Sequence, residues 1–324
     1  MSQATEFEQA TAPLRPELLA HCYRMMGSPV DAEDQVQETY LRAWRGYGEF
    51  DHRASVRTWM YRIATNTCLN ALSAAGRRML PRSFGGEPGD PRAPLNQRDE
   101  AWLEPMPEAF LWKSAAPTPE EKLLARENIA MVWMAALHDL TPNQRAVLLL
   151  RDVLQFSASE TAETLGTTVA SVNSALQRTR EAVGGGLPRA EADPHAEPHV
   201  EAAAVDAFVD AFERHDFDAI VATLAENTTW QMPPFDRWYV GAHDSAVLSH
   251  THCPASAPGD LRFLRTRSNG QPAVGMYLRK GDRYEAFQFQ VLHVRPDGLV
   301  DDVVGWFEPH IFRLAGLPLV LDAA

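Results

Sequence analysis

At 324 residues, 45% hydrophobic and 23% charged, the chain is sized for two or three globular domains and is not an intrinsically disordered polymer. Its net charge of −13 argues against a polyanion partner for the chain as a whole, and the scattered Cys22, Cys68 and Cys253 argue against a disulfide framework or structural zinc site. No apolar run reaches the ~18 residues needed to span a bilayer, and the acidic opening MSQATEFEQATAPLRPELL lacks a secretory h-region, so the expected compartment is the cytoplasm.

The charge is unevenly placed. From His52 to Gly86 there is no acidic residue, while Arg53, Arg57, Arg62, Arg77, Arg78 and Arg82 fall inside. From Arg189 onward the chain carries 11 basic and 20 acidic residues, a net of −9. A local basic stretch is what a polyanion feels within a Debye length of about 8–10 Å.

In chain order, Leu14 to Gly76 reads as helical throughout. DAEDQVQETYLRAW (Asp31 to Trp44) opens with carboxylates at a helix N-terminus, with Ala32, Val36, Tyr40 and Ala43 as the inward stripe. Asp34, Gln37, Glu38 and Arg42 fall on the other side, either as a solvated face or as a surface for a partner protein. After the loop RGYGEFDHR, the helix ASVRTWMYRIATNTCLNAL buries Val56, Trp59, Met60, Ile63 and Thr67 and aligns Thr58, Arg62, Asn66 and Asn70 at i, i+4. Guanidinium groups suit phosphates, and amides with nearby Tyr47, Phe50 and Tyr61 suit unstacked bases. The bland alternative is that the aromatics are core and the arginines only solubilise.

Met79 to Pro119, rich in Pro, Gly, Ser and acids, reads as a long connector around the island WLEPMPEAFLW. Helix returns from Glu120 to Val183: Thr141, Pro142 and Gln144 form a capping box, as do Ser157 and Glu160, and Gly166 ends a helix that Thr167 and Thr168 follow. A short helix, a tight turn with glycine and a longer polar-faced helix make a helix-turn-helix pattern, also found in proteins that do not bind DNA. Its second helix would turn Val169, Val172, Leu176 and Val183 inward and Thr167, Thr168, Ser171, Asn173, Ser174, Gln177, Arg178 and Arg180 toward phosphates and base edges. A second linker follows Gly184-Gly185-Gly186, and from Val200 two helices lead into alternating strands such as LRFLRTR, AVGMYLRK and YEAFQFQVLHV.

Together these motifs resemble the extracytoplasmic-function branch of the sigma-70 family. The resemblance implies that Asp34, Gln37, Glu38 and Arg42 dock on core RNA polymerase. It implies that FDHRASVRTWMYRIATN reads a melted downstream promoter element, with Phe50 and Asn66 matching positions that hold a flipped base and Arg53, Arg57, Arg62, Asn70, Arg77 and Arg78 beside them. LTPNQRAVLLLRDVLQFSASETAETLGTTVASVNSALQRTR looks like the reader of the upstream element, although Asn173, Ser174 and Ala175 stand where many relatives carry Arg or Lys, so weak upstream affinity is expected. WLEPMPEAF is similar to a WLPEP-like element of subgroups with C-terminal extensions, and no sigma-1-type extension or intermediate domain is expected. From about Val200 to Phe312 the chain resembles a SnoaL-like, nuclear-transport-factor-2-like domain.

The expected fold is therefore two all-α sigma domains, the second a helix-turn-helix, plus a C-terminal α+β cone with a curved sheet. The expected boundaries are 14–80 (region 2), 81–119 (linker), 120–184 (region 4), 185–199 (linker) and 200–324 (SnoaL-like). The expected function is promoter-specific initiation with core RNA polymerase and promoter DNA as partners, adjusted by the fused domain, with no enzyme activity, cofactor or metal. Trp230, Met232, Trp238, Tyr239 and Phe307 are candidates to line a cavity for a small ligand, or plain core. His250-Thr251-His252-Cys253 is a weak metal pattern, and Asp236, His250 and Asp302 are weak acid–base candidates. The competing classes are a conventional helix-turn-helix regulator and an enzyme built on the cone domain.

Overall fold

In the computed structural model, which describes residues 2–50, 54–73, 78–112, 130–182 and 197–322, the chain divides into two units. The first joins Met1–Arg78 to Leu111–Leu187; the second joins Met79–Phe110 to Pro188–Ala324.

The first unit is helical among the described residues. Helix α1 (Gln3–Thr11) is capped by Ser2, and α2 (Arg15–Met26) ends on Gly27, whose φ of 76° supplies the left-handed stop. Ser28 then caps α3 (Pro29–Gly46), with Pro29 at its first turn, and Ser55 caps α4 (Val56–Leu72). Ala32, Val36 and Ala43 of α3 are fully buried, and Tyr40 Oη donates to the Thr11 carbonyl at 2.8 Å. On α4 the inner side is Met60, Tyr61, Ala64 and Cys68, with Trp59 only half-buried.

Helix α5 (Met131–His138) precedes α6 (Pro142–Leu148), which continues as one wider turn over Leu149–Val153. Then come α7 (Ala158–Thr164) and α8 (Val169–Ala182), and both capping boxes, Thr141 with Gln144 and Ser157 with Glu160, form. Gly166, at φ 60°, makes the turn between α7 and α8. Val172 and Leu176 are buried as expected, but Val169 is 44% exposed. Its place in the first turn of α8 puts it before the face that meets α7. Val183 lies outside the described residues.

The second unit begins with α9 (Pro198–Glu213) and α10 (Phe217–Thr223). Its strands are β1 (Leu224–Gln231), β2 (Trp238–Val240), β3 (Leu261–Ser268), β4 (Gln271–Lys280), β5 (Arg283–Val294), β6 (Val300–Trp306) and β7 (Val320–Asp322). Helix α11 (Ala242–His252) lies between β2 and β3, and α12 (Pro309–Leu314) between β6 and β7. The order is β2-β1-β6-β5-β4-β3, with β7 added on β5; β1 runs parallel to β6 and the other pairs are antiparallel. This is the α+β unit with a curved, open mixed sheet that the SnoaL-like resemblance implies. Asn269 and Gly270, at φ 56° and 70°, form the tight β3–β4 hairpin turn.

The stretch 79–110, whose composition reads as a connector, is part of this unit. Trp102, Leu103 and Met106 of the apolar island are buried, and Trp306 Nε1 donates to the Leu103 carbonyl at 2.9 Å. Met106 N–H donates to Asn269 Oδ1 at 2.7 Å while Asn269 N–H returns a bond to the Met106 carbonyl at 2.9 Å. Further along the strap, Arg98 N–H donates to the Pro234 carbonyl and Gly89 N–H to that of Trp238, at 2.9 and 2.8 Å. Pro and Gly interrupt regular structure here without preventing burial, because backbone pairing with the sheet satisfies the polar groups.

Candidate nucleic-acid interface

Helix α3 presents an exposed row that composition does not reveal. Val30, Asp34, Gln37, Leu41 and Trp44 recur at three- and four-residue steps, so they share a face. Val30, Leu41 and Trp44 are 45%, 52% and 43% exposed, which makes this a mixed apolar and amide surface. Beside it Arg42 Nε donates to Glu38 Oε1 at 2.6 Å, an i, i+4 pair worth at most ~0.5 kcal/mol, and Gln37 reaches Glu33 at 3.4 Å. The sequence pointed to the polar members Asp34, Gln37, Glu38 and Arg42. It missed Leu41 and Trp44, whose outward position shows only once the inward stripe is fixed.

On α4 the structure brings Arg62, Asn66 and Asn70 onto one face, but two of them are engaged. Asn66 Nδ2 donates both to the Arg62 carbonyl within its own helix, at 3.0 Å, and to the Thr164 carbonyl at the end of α7, at 3.1 Å. Arg62 Nη1 pairs with Glu163 Oε1 at 2.6 Å. The face that would meet separated strands is thus covered by the first helix of the helix-turn-helix. Asn70 is exposed.

Arg57 and Arg78 have structural duties. Arg57 bonds Glu17 at 2.9 Å through Nε, and its guanidinium lies 4.8 Å from the Tyr61 ring, whose hydroxyl donates to the same carboxylate at 3.0 Å. Burial, then the Glu17 charge, push the Tyr61 phenol well above its ordinary value. Arg78 holds Asp31 at 2.7 Å. Phe50 stacks on Trp59 with centroids 4.7 Å apart. Arg53 and Arg77 lie outside the described residues.

The outward side of α8 is open by contrast. Thr167 and Thr168 before it, and Ser171, Asn173, Ser174, Gln177, Arg178 and Arg180 along it, are all exposed. Thr168 Oγ1 accepts from the Ser171 N–H at 3.2 Å and so caps the helix that presents them. Arg180 forks onto Asp152 at 3.0 and 2.6 Å, which raises its pKa through that hydrogen bond, and Gln177 Nε2 donates to Glu181 at 3.0 Å. Arg178 is the guanidinium of this row better placed for a polyanion.

Arg145, which the sequence does not mark, joins the two helical parts. It is 2% exposed, and its guanidinium donates to the carbonyls of Met25, Leu137 (3.1 Å) and Leu140 (3.4 Å). Met25 lies in the last turn of α2 and Leu137 in that of α5, where carbonyls lack intrahelical partners and the dipole favours a cation. One buried charge therefore caps two helix ends.

In the second unit a cavity of about 500 Å³ opens inside the sheet. Trp230, Met232 and Phe307 line it. Tyr239 is instead packed beneath Gly89, and Trp238 lies under Arg82, 5.2 Å from its guanidinium. The weak acid–base candidates are kept apart. Asp302 accepts from Thr229 on the sheet face opposite Trp230, and burial raises its carboxyl to about 6. Asp236 pairs with Arg98 at 3.4 Å. His250 lies on α11, 4.4 Å from the His215 ring, and burial followed by that neighbour lowers its pKa. His250 and His252 lie on a helix rather than a strand, and among the described residues no group of three ligating side chains converges.

Residues 12–78 match the family description "Sigma-70 region 2" and residues 130–183 match "Sigma-70, region 4". These two matches define a sigma-type factor, in the order that the motifs suggested. The extracytoplasmic-function (ECF) RNA polymerase sigma factor SigG of Mycobacterium tuberculosis is 44% identical over 315 residues, which cover 97% of this chain and 84% of that protein. ECF sigma factor SigJ of the same organism is 30% identical over 181 residues, covering 56% of this chain and 50% of SigJ. The crystal structure of SigJ superposes with a TM-score of 0.61 at 24% identity over 98% of this chain and 100% of that one, a likeness of fold. The chain belongs to the ECF RNA polymerase sigma factors.

Proposed function

We propose that the chain directs core RNA polymerase to particular promoters through three surfaces of its helical unit, within bounds of 14–80 for region 2 and 120–184 for region 4. The α3 row of Asp34, Gln37, Glu38 and Arg42, with Leu41 and Trp44 added, docks on core polymerase. Asn66, with Phe50, Arg62 and Asn70, holds the melted downstream element. The outward side of α8, Arg178 above all, engages the upstream element. The chain itself performs no chemistry, because core polymerase supplies it, and its place of work is the cytoplasm where that enzyme acts.

The observation that carries this reading is the open polar row on α8, set on a capped helix-turn-helix beside a second, acid-free helix. Hydroxyl, amide and guanidinium groups at a helix start can reach both phosphates and base edges. The C-terminal unit, residues 200–324 with its strap, adjusts promoter output. Run-off transcription over a genomic library with core enzyme, using full-length chain and chain ending before Pro188, tests both points. Defined start sites with the full chain support initiation, and a changed set or yield after truncation supports adjustment. No start site at all in the company of core polymerase sinks the first, and identical output sinks the second.

A further inference from the structure

The cavity of about 500 Å³ falls in the ~300–1,000 Å³ range of small-molecule sites. Most of its wall is apolar: Trp230, Met232, Leu248, Met276 and Phe287 are among the lining residues. Polar side chains interrupt that wall, among them three glutamines, Gln97, Gln288 and Gln290. Gln288 and Gln290, only 2% and 1% exposed, alternate with Phe289 along β5 and so share a face of the sheet. Gln290 Nε2 donates to Gln288 Oε1 at 2.7 Å. That bond leaves Gln288 Nε2 and Gln290 Oε1 without partners, one donor and one acceptor side by side. Trp230 Nε1 on the same cavity also lacks an acceptor.

A buried polar group without a partner is unfavourable, so three of them around one hollow call for something else to satisfy them. Charge narrows the occupant. No lysine or arginine lines the cavity; its basic groups are the imidazoles of His215, His250 and His252. Burial followed by the neighbouring His215 lowers the His250 pKa, which disfavours a protonated ring there as counter-ion to a carboxylate or phosphate. Glu308, which does line it, has Oε2 unpaired, and burial raises its pKa.

From this arrangement we propose that the cavity binds a compact, uncharged, largely apolar molecule bearing an amide or lactam, whose carbonyl accepts from Gln288 and whose N–H donates to Gln290. Leu95 and Gln97 of the strap form part of the same wall. Gln97 is bridged to Phe235, and Asp236 N–H donates to the Asn96 carbonyl at 3.0 Å, so an occupant also steadies the strap. That strap belongs to the stretch of chain that runs from region 2 to region 4, which gives the ligand a covalent route to both. The proposal stands apart from the transcription reading, and its test needs no polymerase.

The test uses full-length protein and displacement of the neutral fluorophore N-phenyl-1-naphthylamine by four isosteres: 1-naphthamide, naphthalene, 1-naphthoate and 1-naphthylmethylammonium. The amide should compete at about tenfold lower concentration than the other three, the worth of one to two buried hydrogen bonds. In the double variant Gln288→Leu/Gln290→Leu that advantage should vanish while naphthalene binds as before. If the double variant has no melting transition, Gln290→Met carries the same comparison. Hydrogen exchange at Arg98 should slow when 1-naphthamide is added. The proposal is overturned if the charged isosteres compete as well as the amide, if the advantage survives in the glutamine variants, or if none of the four displaces the fluorophore.

Discussion

The two faces of the helical unit proposed to meet nucleic acid differ in one respect. The α8 row faces outward with Arg178 exposed, whereas the α4 row is covered by α7, with Asn66 spent on the Thr164 carbonyl and Arg62 on Glu163. The two faces have similar chemistry, so composition cannot separate them; only packing does. Magnitudes show how firmly the cover is held. Arg62 and Glu163 are 46% and 68% exposed, and such a pair is worth roughly 0.2–1 kcal/mol, so it adds little to holding the cover in place. Arg145 is a different matter, since breaking its bonds strands a buried charge and takes a donor from the Met25, Leu137 and Leu140 carbonyls.

Four substitutions would break or sharpen this contrast. Arg145→Met should have the largest effect, lowering unfolding stability by about 3–5 kcal/mol in chemical denaturation, because the ends of α2 and α5 lose their cap together. An unchanged midpoint would mean that the guanidinium does not fasten the helical parts. Leu41→Asp on α3 should come next, weakening association with core polymerase by about tenfold while leaving the melting curve alone, since its side chain is exposed. Fluorescence anisotropy with labelled protein reads it, and equal affinity would exclude Leu41 from the docking face.

Arg178→Ala should weaken binding to upstream-element duplex by about 1 kcal/mol and lower the salt slope by about one, because a single phosphate contact is removed. Salt titrations that overlay wild type would place the DNA elsewhere. Glu163→Gln should have the smallest effect, raising the affinity of the free chain for single-stranded downstream-element DNA about two- to threefold as the cover loosens. A loss of affinity instead would show that α7 helps to form the DNA surface rather than to block it.

Much of this architecture was legible in the sequence, and the reasons are local. Thr141 and Ser157 announce helix starts because capping needs only neighbours within three residues. The Asn269-Gly270 turn and the strand alternation around it are equally short-range. What stayed hidden depends on distant partners. Arg145 lies in an unremarkable helix, and nothing near it in sequence says that the Met25 carbonyl, from another helix, will receive its charge. The 79–110 stretch has a linker's composition, yet Trp102, Leu103 and Met106 find their burial against a sheet formed far later in the chain. Of the cavity candidates, Trp230, Met232 and Phe307 line the hollow while Trp238 and Tyr239 do not, although Tyr239 pairs with Trp230 across the strands; packing beneath Gly89 and Arg82, which composition does not show, sets those two apart. The amides Gln288 and Gln290 escaped notice because an alternating strand normally turns its polar residues to water.

The central claim is that Asn66 grips separated DNA once α7 moves aside. Open-complex formation by core polymerase with wild-type or Asn66→Ala protein, compared on a duplex promoter and on the same promoter with its downstream element pre-melted, tests it most directly. The account predicts at least about a tenfold loss for the variant on both templates, with core affinity unchanged. Equal open-complex yields for the two proteins would contradict it.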